Sequence, residues 1–207
     1  VYSPFFGFTK GSLVESFLES SSDKNEARVT LEKTYSCYSG GEKPCMDCPA
    51  CFRKFVALAS NGIFNKQSIP SDRIIKEYLQ KLHTYNPERI SRTLTALKYL
   101  SDVLAVDIDG ILCEEKGRYS DRIPYTENIE KLRRFDGYIV LFTARYENDR
   151  KHTETWLKQH NVRYDALLMG KIPYTRLIDD KAVSAFDGSI NIETKKTRFS
   201  FATEEGR

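Results

Sequence analysis

Hydrophobic and polar residues follow different periods on the two sides of residue 101. Upstream, two stretches begin at the capping sequences Ser71-Asp72 and Asn86-Pro87 and continue with apolar residues at helical spacing. We therefore predict two helices that pack as connectors between two domains. Their apolar stripes are Ile74, Ile75, Tyr78, Leu79 and Leu82 in the first helix, and Ile90, Leu94, Leu97 and Leu100 in the second.

Downstream of residue 101, short apolar runs alternate with stretches of helical pattern. Such alternation predicts an α/β fold with a parallel sheet and helices on both of its faces. The predicted strands are 103–108, 138–143, 166–169 and 176–179, and the predicted helices run from about 124 to 135 and from about 148 to 159. We divide the chain into a small α-rich metal-binding segment (1–66), a helical connector (67–101), the α/β domain (102–192) and a polar tail (193–207).

Each predicted strand ends at a polar side chain, and ligands bind at the carboxyl ends of strands in parallel sheets. Asp107 can act there as a nucleophile toward phosphorus and form an aspartyl-phosphate. Asp109 can serve as general acid and base, because Gly110 lets the chain turn away after it. The remaining strand-end groups are Thr143, Lys171, Asp179 and Asp180.

Two carboxylates beside a phosphate group repel it, so we predict a catalytic Mg²⁺ bound by oxygen ligands. Its predicted ligands are Asp107, Asp109, Asp179 and Asp180. Thr143 and Lys171 would stabilise the phosphoryl oxygens. We expect Gly110, Ala144 and Arg145 to contact substrate, with a solvated loop position as the equal alternative for Arg145.

Asp-x-Asp-Gly, a strand-end Thr, a Lys and Asp-Asp, in this order, resemble the four motifs of the haloacid dehalogenase (HAD) superfamily over about residues 102–187. The resemblance implies a HAD-like phosphatase with a Rossmann-like parallel sheet. Ile111 departs from it, because that family usually has Thr there. The spacing leaves room for a flap but no cap domain, so we expect an open site for a phosphorylated small molecule, a nucleotide, a nucleic-acid end or a sugar phosphate. The flap segment Lys116-Gly-Arg-Tyr119 is expected to be a surface loop.

Four of the five cysteines lie close together, in the pattern Cys37-x7-Cys45-x2-Cys48-x2-Cys51. Four thiolates with two short spacings favour a closed, structural zinc site. An iron–sulfur cluster and unligated thiols are the alternatives. Cys113 stands apart, and without a nearby His we expect a buried structural thiol.

A second resemblance covers about residues 1–65. Val1-Tyr-Ser-Pro-Phe5, Thr34-Tyr-Ser-Cys-Tyr-Ser-Gly-Gly41 and the segment from Pro44 to Arg53 resemble the C-terminal zinc-binding part of 7-cyano-7-deazaguanine synthase. That family uses ATP and ammonia to make the nitrile, and its ATP-binding loop would precede Val1. The resemblance implies a partner, an upstream ATP-binding synthase half, and a place in queuosine and deazapurine biosynthesis. Because the chain begins at Val1 with residues patterned like a fold interior, we expect that residues precede it.

Composition and charge exclude some classes of protein but do not indicate a specific function. A net charge of +3 does not indicate a strong polyanion-binding surface and leaves nucleic acid open as a partner. No run approaches the ~20 apolar residues of a membrane span, and no signal-peptide pattern is present, so we expect a soluble cytoplasmic protein without a membrane partner. The leading hypothesis is a magnesium-dependent phosphomonoester hydrolase. The alternatives are part of a bifunctional 7-cyano-7-deazaguanine synthase, or a non-catalytic scaffold.

Overall fold

The computed structural model describes residues 7–172, which form a mixed α/β structure with a small parallel sheet. Two compact units divide these residues: the first contains 7–104, 136–138 and 165–167, and the second contains 105–135, 139–164 and 168–172. The predicted strand 176–179, Asp179 and Asp180 lie outside the described residues. Within those residues, no helix has the length and apolar content to cross a membrane.

Five α-helices build the first unit, and α3 lies at its centre. Helix α3 contacts α1, α4 and α5, and it buries Phe52, Phe55 and most of its last turn. The helices are α1 (Lys10–Ser20), α2 (Lys24–Lys33), α3 (Pro49–Ala59), α4 (Asp72–Gln80) and α5 (Pro87–Leu97), with 3₁₀ turns at Lys66–Ser68 and Leu82–Thr84.

The two helix starts predicted from capping residues are confirmed. The Ser71 side chain accepts a hydrogen bond from the backbone N–H of Ile74 at the start of α4, and the Asn86 side chain accepts one from Arg89 at the start of α5. The predicted apolar face of α4 is also confirmed, because all five of its residues are buried.

The stripe predicted for α5 is wrong in part. Of its four residues only Leu97 is fully buried, whereas Ile90, Leu94 and Leu100 are half-buried. The residues buried on α5 are Thr93, Ala96 and Leu97. Small side chains at the contact allow a neighbouring helix to approach closely, and α5 packs against α3.

The sheet has three described strands in the order β1 (Val103–Val106), β2 (Tyr138–Phe142) and β3 (Ala166–Leu168). Helix α6 (Thr126–Arg134) connects β1 to β2, and α7 (Arg150–Gln159), after a 3₁₀ turn at Glu147–Asp149, connects β2 to β3. These crossovers agree with the predicted alternation of strands and helices. Position within this sheet determines where the candidate site residues of the second unit lie.

Apolar residues of β2 and of both helices form the interior of the second unit. Ile139, Val140 and Leu141 are buried on β2, and Trp156 and Leu157 are buried on α7. Helix α6 contributes Ile129 and Leu132, and the side chain of its buried Asn128 donates to the Ile111 carbonyl at 2.8 Å. That last bond fixes the loop directly after the Asp107–Asp109 pair.

Candidate functional site

The four clustered cysteines converge in the first unit. Their sulfur atoms all lie within 4.8 Å of one another, although three of the residues come from the loop between α2 and α3 and the fourth from the start of α3. The Cys48 and Cys51 sulfurs are 3.6 Å apart, and those of Cys37 and Cys48 are 4.0 Å apart. None of the four forms a disulfide. Four thiolates at tetrahedral spacing fit Zn²⁺ and leave no ligand position for a substrate, so the site is suited to a structural ion.

Hydrogen bonds to sulfur distinguish this cluster from a chance grouping. The backbone N–H of Cys45 donates to Cys37 Sγ at 3.3 Å, and that of Ser39 donates to the same atom at 3.4 Å. The bonds from Cys45 and then from Ser39 lower the pKa of Cys37 to about 5. Burial, and then the Cys48 side chain, raises the pKa of Cys51 to about 12. Donors around Cys37 thus favour its thiolate, whereas burial disfavours the thiolate of Cys51. A cation bound between the four sulfur atoms would favour the thiolate form of all of them.

An ion pair ties the cysteine loop to helix α4. Asp47, between Cys45 and Cys48, accepts hydrogen bonds from Arg73 Nε at 3.1 Å and Nη2 at 2.8 Å. The hydroxyl of Ser71 donates to the same carboxylate, and the backbone N–H of Ser71 donates to the Met46 carbonyl at 2.8 Å. The residue that caps α4 therefore also holds the turn between two zinc ligands. Sequence reasoning identified Ser71 as a cap but missed this contact.

A cleft of about 570 Å³ lies beside the cysteine cluster. Cys37 and Cys51 form part of its wall, so a bound zinc ion would contribute to one side of the cleft. Its lining combines apolar side chains with hydroxyl and amide groups, three lysines and one glutamate. The lining residues that matter here are Tyr35, Met46, Lys54, Phe55, Asn65 and Gln67. The volume lies within the usual range for small-molecule sites, about 300–1,000 Å³.

In the second unit, the ends of β1, β2 and β3 bring three predicted residues together. The ammonium group of Lys171 forms an ion pair with Asp107 Oδ2 and lies 5.7 Å from the ring centroid of Phe142. The backbone N–H of Lys171 donates to the Thr143 carbonyl at 3.0 Å. Thr143 is fully buried. The chain thus places a carboxylate, an ammonium group and a threonine at one edge of the sheet, as predicted.

Asp109 lies in a different environment from the one its predicted function requires. Arg145 donates to its carboxylate from Nε at 3.0 Å and from Nη2 at 2.5 Å, and Arg122 forms a second ion pair with it. Burial opposes ionisation, yet the hydrogen bonds and charge of Arg145, together with the charge of Arg122, hold the pKa of Asp109 below its usual range. A carboxylate held in its charged form by two cations is a poor proton donor.

Arg145 is buried, so its predicted alternative as a solvated loop residue is wrong. Only 1% of it is exposed, and Nη1 donates to the Thr153 hydroxyl at 3.2 Å. Its guanidinium carbon lies 4.4 Å from the ring centroid of Tyr119, and that of Arg122 lies 4.6 Å from the same centroid. Sequence reasoning missed Arg122 and Thr153, because neither stands next to a recognisable motif.

Gly110, Ala144 and Cys113 are the other residues of this region that the sequence analysis singled out. Gly110 has φ +81°, and its backbone N–H donates to the Cys113 carbonyl at 2.8 Å, as expected of a turn glycine. Ala144 is exposed. Cys113 is fully buried, as predicted, and burial followed by the charge of Asp109 raises its pKa to about 11. Its thiol is therefore unreactive at neutral pH.

The described residues do not fit the predicted Mg²⁺. Asp107 pairs with Lys171, and Asp109 pairs with two arginines, so cations of the chain already offset both carboxylates. The sequence prediction invoked the ion because two carboxylates would repel a phosphate group, and it did not anticipate the two arginines that pair with Asp109. The other two predicted ligands, Asp179 and Asp180, lie outside the described residues.

Comparison with known proteins shows what the first segment resembles. Residues 1–62 match the family model for queuosine biosynthesis protein QueC. The matched segment contains the four-cysteine cluster, so it corresponds to a zinc-binding region of that family. The corresponding resemblance predicted from the sequence is confirmed for this segment.

The curated relatives match a stretch of similar length. The 7-cyano-7-deazaguanine synthase of Aquifex aeolicus is 41% identical over 58 residues, which are 28% of this chain and 23% of that protein. The synthase of Persephonella marina is 40% identical over 63 residues, which are 30% of this chain and 25% of that protein. The chain thus spans about a quarter of the length of these relatives. A crystal structure of an MCSG target from Vibrio cholerae is 31% identical, with a TM-score of 0.37, over 44% of this chain and 90% of that one.

Proposed function

We propose that the first unit is the zinc-stabilised part of a 7-cyano-7-deazaguanine synthase-like protein and acts on 7-deazaguanine compounds in queuosine biosynthesis. The observation that supports this most is the convergence of Cys37, Cys45, Cys48 and Cys51 within the segment that matches the QueC family. Zinc bound by four cysteines would fix the loop and the start of α3. Chemistry at the metal itself is not proposed, because all four ligand positions belong to the protein.

The cleft beside the cluster is the proposed binding site for the deazaguanine ring. Met46, Phe55 and Leu58 provide an apolar surface for a planar ring, and Asn65 and Gln67 provide amide groups for its polar edge. Zinc with four thiolates carries a net charge of about −2. The cleft lysines Lys33, Lys43 and Lys54 offset that charge, which favours a neutral ring over a strongly anionic ligand.

Binding of 7-cyano-7-deazaguanine to the zinc-loaded full chain, measured by calorimetry, tests this proposal. The Q67A variant should bind about tenfold more weakly, since it removes a polar partner from the cleft. K66A is the matched control, because Lys66 is the exposed neighbour and does not line the cleft. Equal affinity of both variants, or no binding by the wild type, would contradict the proposal.

A second candidate function, hydrolysis of a phosphomonoester in the second unit, is favoured by the Asp107–Lys171 pair beside Thr143. Asp107 would attack phosphorus, the P–O bond to the leaving group would break, and water would then hydrolyse the aspartyl-phosphate. Lys171 would hold the nucleophile and offset the charge on the phosphoryl oxygens. This unit would have the capless HAD-like fold implied by its motifs.

Because Asp109 is paired with two arginines, the leaving group of the substrate decides which compound should be tested first. An aryl phosphate has a leaving group that departs without protonation, so it tolerates an Asp109 that is held as a carboxylate. We expect turnover of such a compound by the wild type, with and without Mg²⁺ as separate arms, followed by a panel of nucleotides and sugar phosphates. D107N should abolish turnover, and D121N, at an exposed acid of the same unit, should not. Equal background hydrolysis in all three proteins would instead support the non-catalytic scaffold.

A further inference from the structure

Residues 114–122 form a loop that includes the segment 116–119 and is called the flap from here on. Arg122 of the flap contacts Asp109 in the second unit. The Arg122 side chain is 10% exposed and forms an ion pair with Asp109 Oδ1. Tyr119 of the same flap lies against the guanidinium groups of both Arg122 and Arg145. The flap therefore brings a cation to an acid that Arg145 already neutralises.

The ion pairs leave an excess of positive charge. Arg145 and Arg122 both pair with Asp109, so two guanidinium groups meet one carboxylate, and these three residues together carry one net positive charge. A partly buried excess cation is costly unless an anion comes close. Such a group is suited to attract an anionic ligand.

The two arginines differ in how firmly they are held. Arg145 has no exposed side-chain surface and also bonds to Thr153 at 3.2 Å and to Cys113 Sγ at 3.5 Å, so it has partners on all sides. Besides its ion pair with Asp109, the Arg122 guanidinium donates from Nε to the Gly117 carbonyl at 3.4 Å, within its own flap. Gly117 has φ +91°, a backbone conformation that suits a turn. Arg122 is therefore the cation that can change partners with little rearrangement.

We propose that Arg122 releases Asp109 and binds the phosphate group of an incoming ligand, and that this binding needs no divalent cation. A guanidinium group offers two parallel N–H donors that match phosphate oxygens as well as they match a carboxylate. The exchange would draw the flap over the ligand and leave Asp109 with Arg145 as its one remaining cationic partner among these residues. The inference takes its ligand class from the phosphatase proposal, but it concerns binding and not turnover.

Calorimetric titration of the full chain with inorganic phosphate, in buffer containing EDTA, tests this inference. The wild type should bind phosphate, and R122Q should bind it at least about tenfold more weakly, the loss expected for one charge-assisted contact. R118Q, at an exposed arginine of the same flap, should stay within about twofold of the wild type. R122K retains the charge but loses the two parallel N–H donors, so its affinity for phosphate should lie between those of R122Q and the wild type. It replaces R122Q in this test if R122Q does not fold.

The D109N variant gives a result that a purely structural function of Arg122 would not produce. Removing the competing carboxylate should tighten phosphate binding by about threefold or more, whereas D121N, which removes an equal charge from an exposed flap position, should have little effect. Weaker binding by D109N, unchanged binding by R122Q, or no phosphate binding by the wild type would each overturn the inference. Arg122-dependent binding without any phosphatase turnover would refute the proposed reaction and leave the inference standing.

Discussion

The Arg145 guanidinium donates hydrogen bonds to the Asp109 carboxylate at 2.5 and 3.0 Å, from a side chain with no exposed surface. Asp109 is two residues from Asp107, yet each of these acids has its own cationic partners. The pair therefore stabilises the fold around the candidate site, in addition to any function in chemistry. Its stability contribution can be measured separately from activity.

Replacing Arg145 with Gln should lower the unfolding free energy of the second unit by about 3 kcal/mol, since one member of a buried ion pair is removed and the other loses its main partner. Chemical denaturation followed by Trp156 fluorescence would measure this change. R134Q is the control, because the Arg134 side chain is 79% exposed in its pair with Glu130. The double variant D109N/R145Q should lose less stability than the sum of the two single variants. Additive losses would show that the pair has no coupling energy.

The sequence predicted local features better than it predicted the partners of polar groups. The caps at Ser71 and Asn86, the cysteine cluster and the strand ends that carry Asp107 and Thr143 could be found because each is a short-range pattern. The burial of Arg145 could not be found in this way, because its partners come from a loop, a strand end and α7. The first segment was predicted to be rich in helix, but without bounds for α1, α2 or α3; α2 gives a weak signal because it is mostly polar and buries only Ala27.

The zinc prediction can be tested by elemental analysis, which should find about one zinc ion per chain. C45S should lose the metal, and C113S should retain it, because Cys113 lies in the second unit and bonds to Ile108 and Asp109. Chelation should lower the unfolding midpoint of the first unit by at least about 10 °C, because loss of several kcal/mol moves a small domain by several degrees per kcal/mol. Iron in place of zinc, or full zinc content in C45S, would contradict the assignment.

The contact between Asp47 and Arg73 should affect zinc affinity without touching the metal. Arg73 holds the turn between Cys45 and Cys48 through the Asp47 carboxylate and, at 2.6 Å, through the Asp47 carbonyl. R73Q should weaken zinc binding by roughly tenfold, the lower end of the effect of residues that orient metal ligands. Competition with a chromogenic chelator would measure it. K76Q, at an exposed lysine of the same helix, is the control, and equal affinities of the two variants would show that the contact does not position the ligands.

Trp156 should control how often the flap opens. Its indole Nε1 donates to the Arg122 carbonyl at 2.9 Å, while its ring is buried and lies 4.5 Å from the His160 ring. W156F removes that donor and should lower the free energy of flap opening by about 1 kcal/mol, which raises the open population about fivefold. Limited trypsin digestion should then cleave after Lys116 and Arg118 about fivefold faster. Cleavage after the exposed Lys98 in the first unit is the internal control. Equal acceleration at all three sites would mean that the variant unfolds globally and that the indole does not specifically hold the flap.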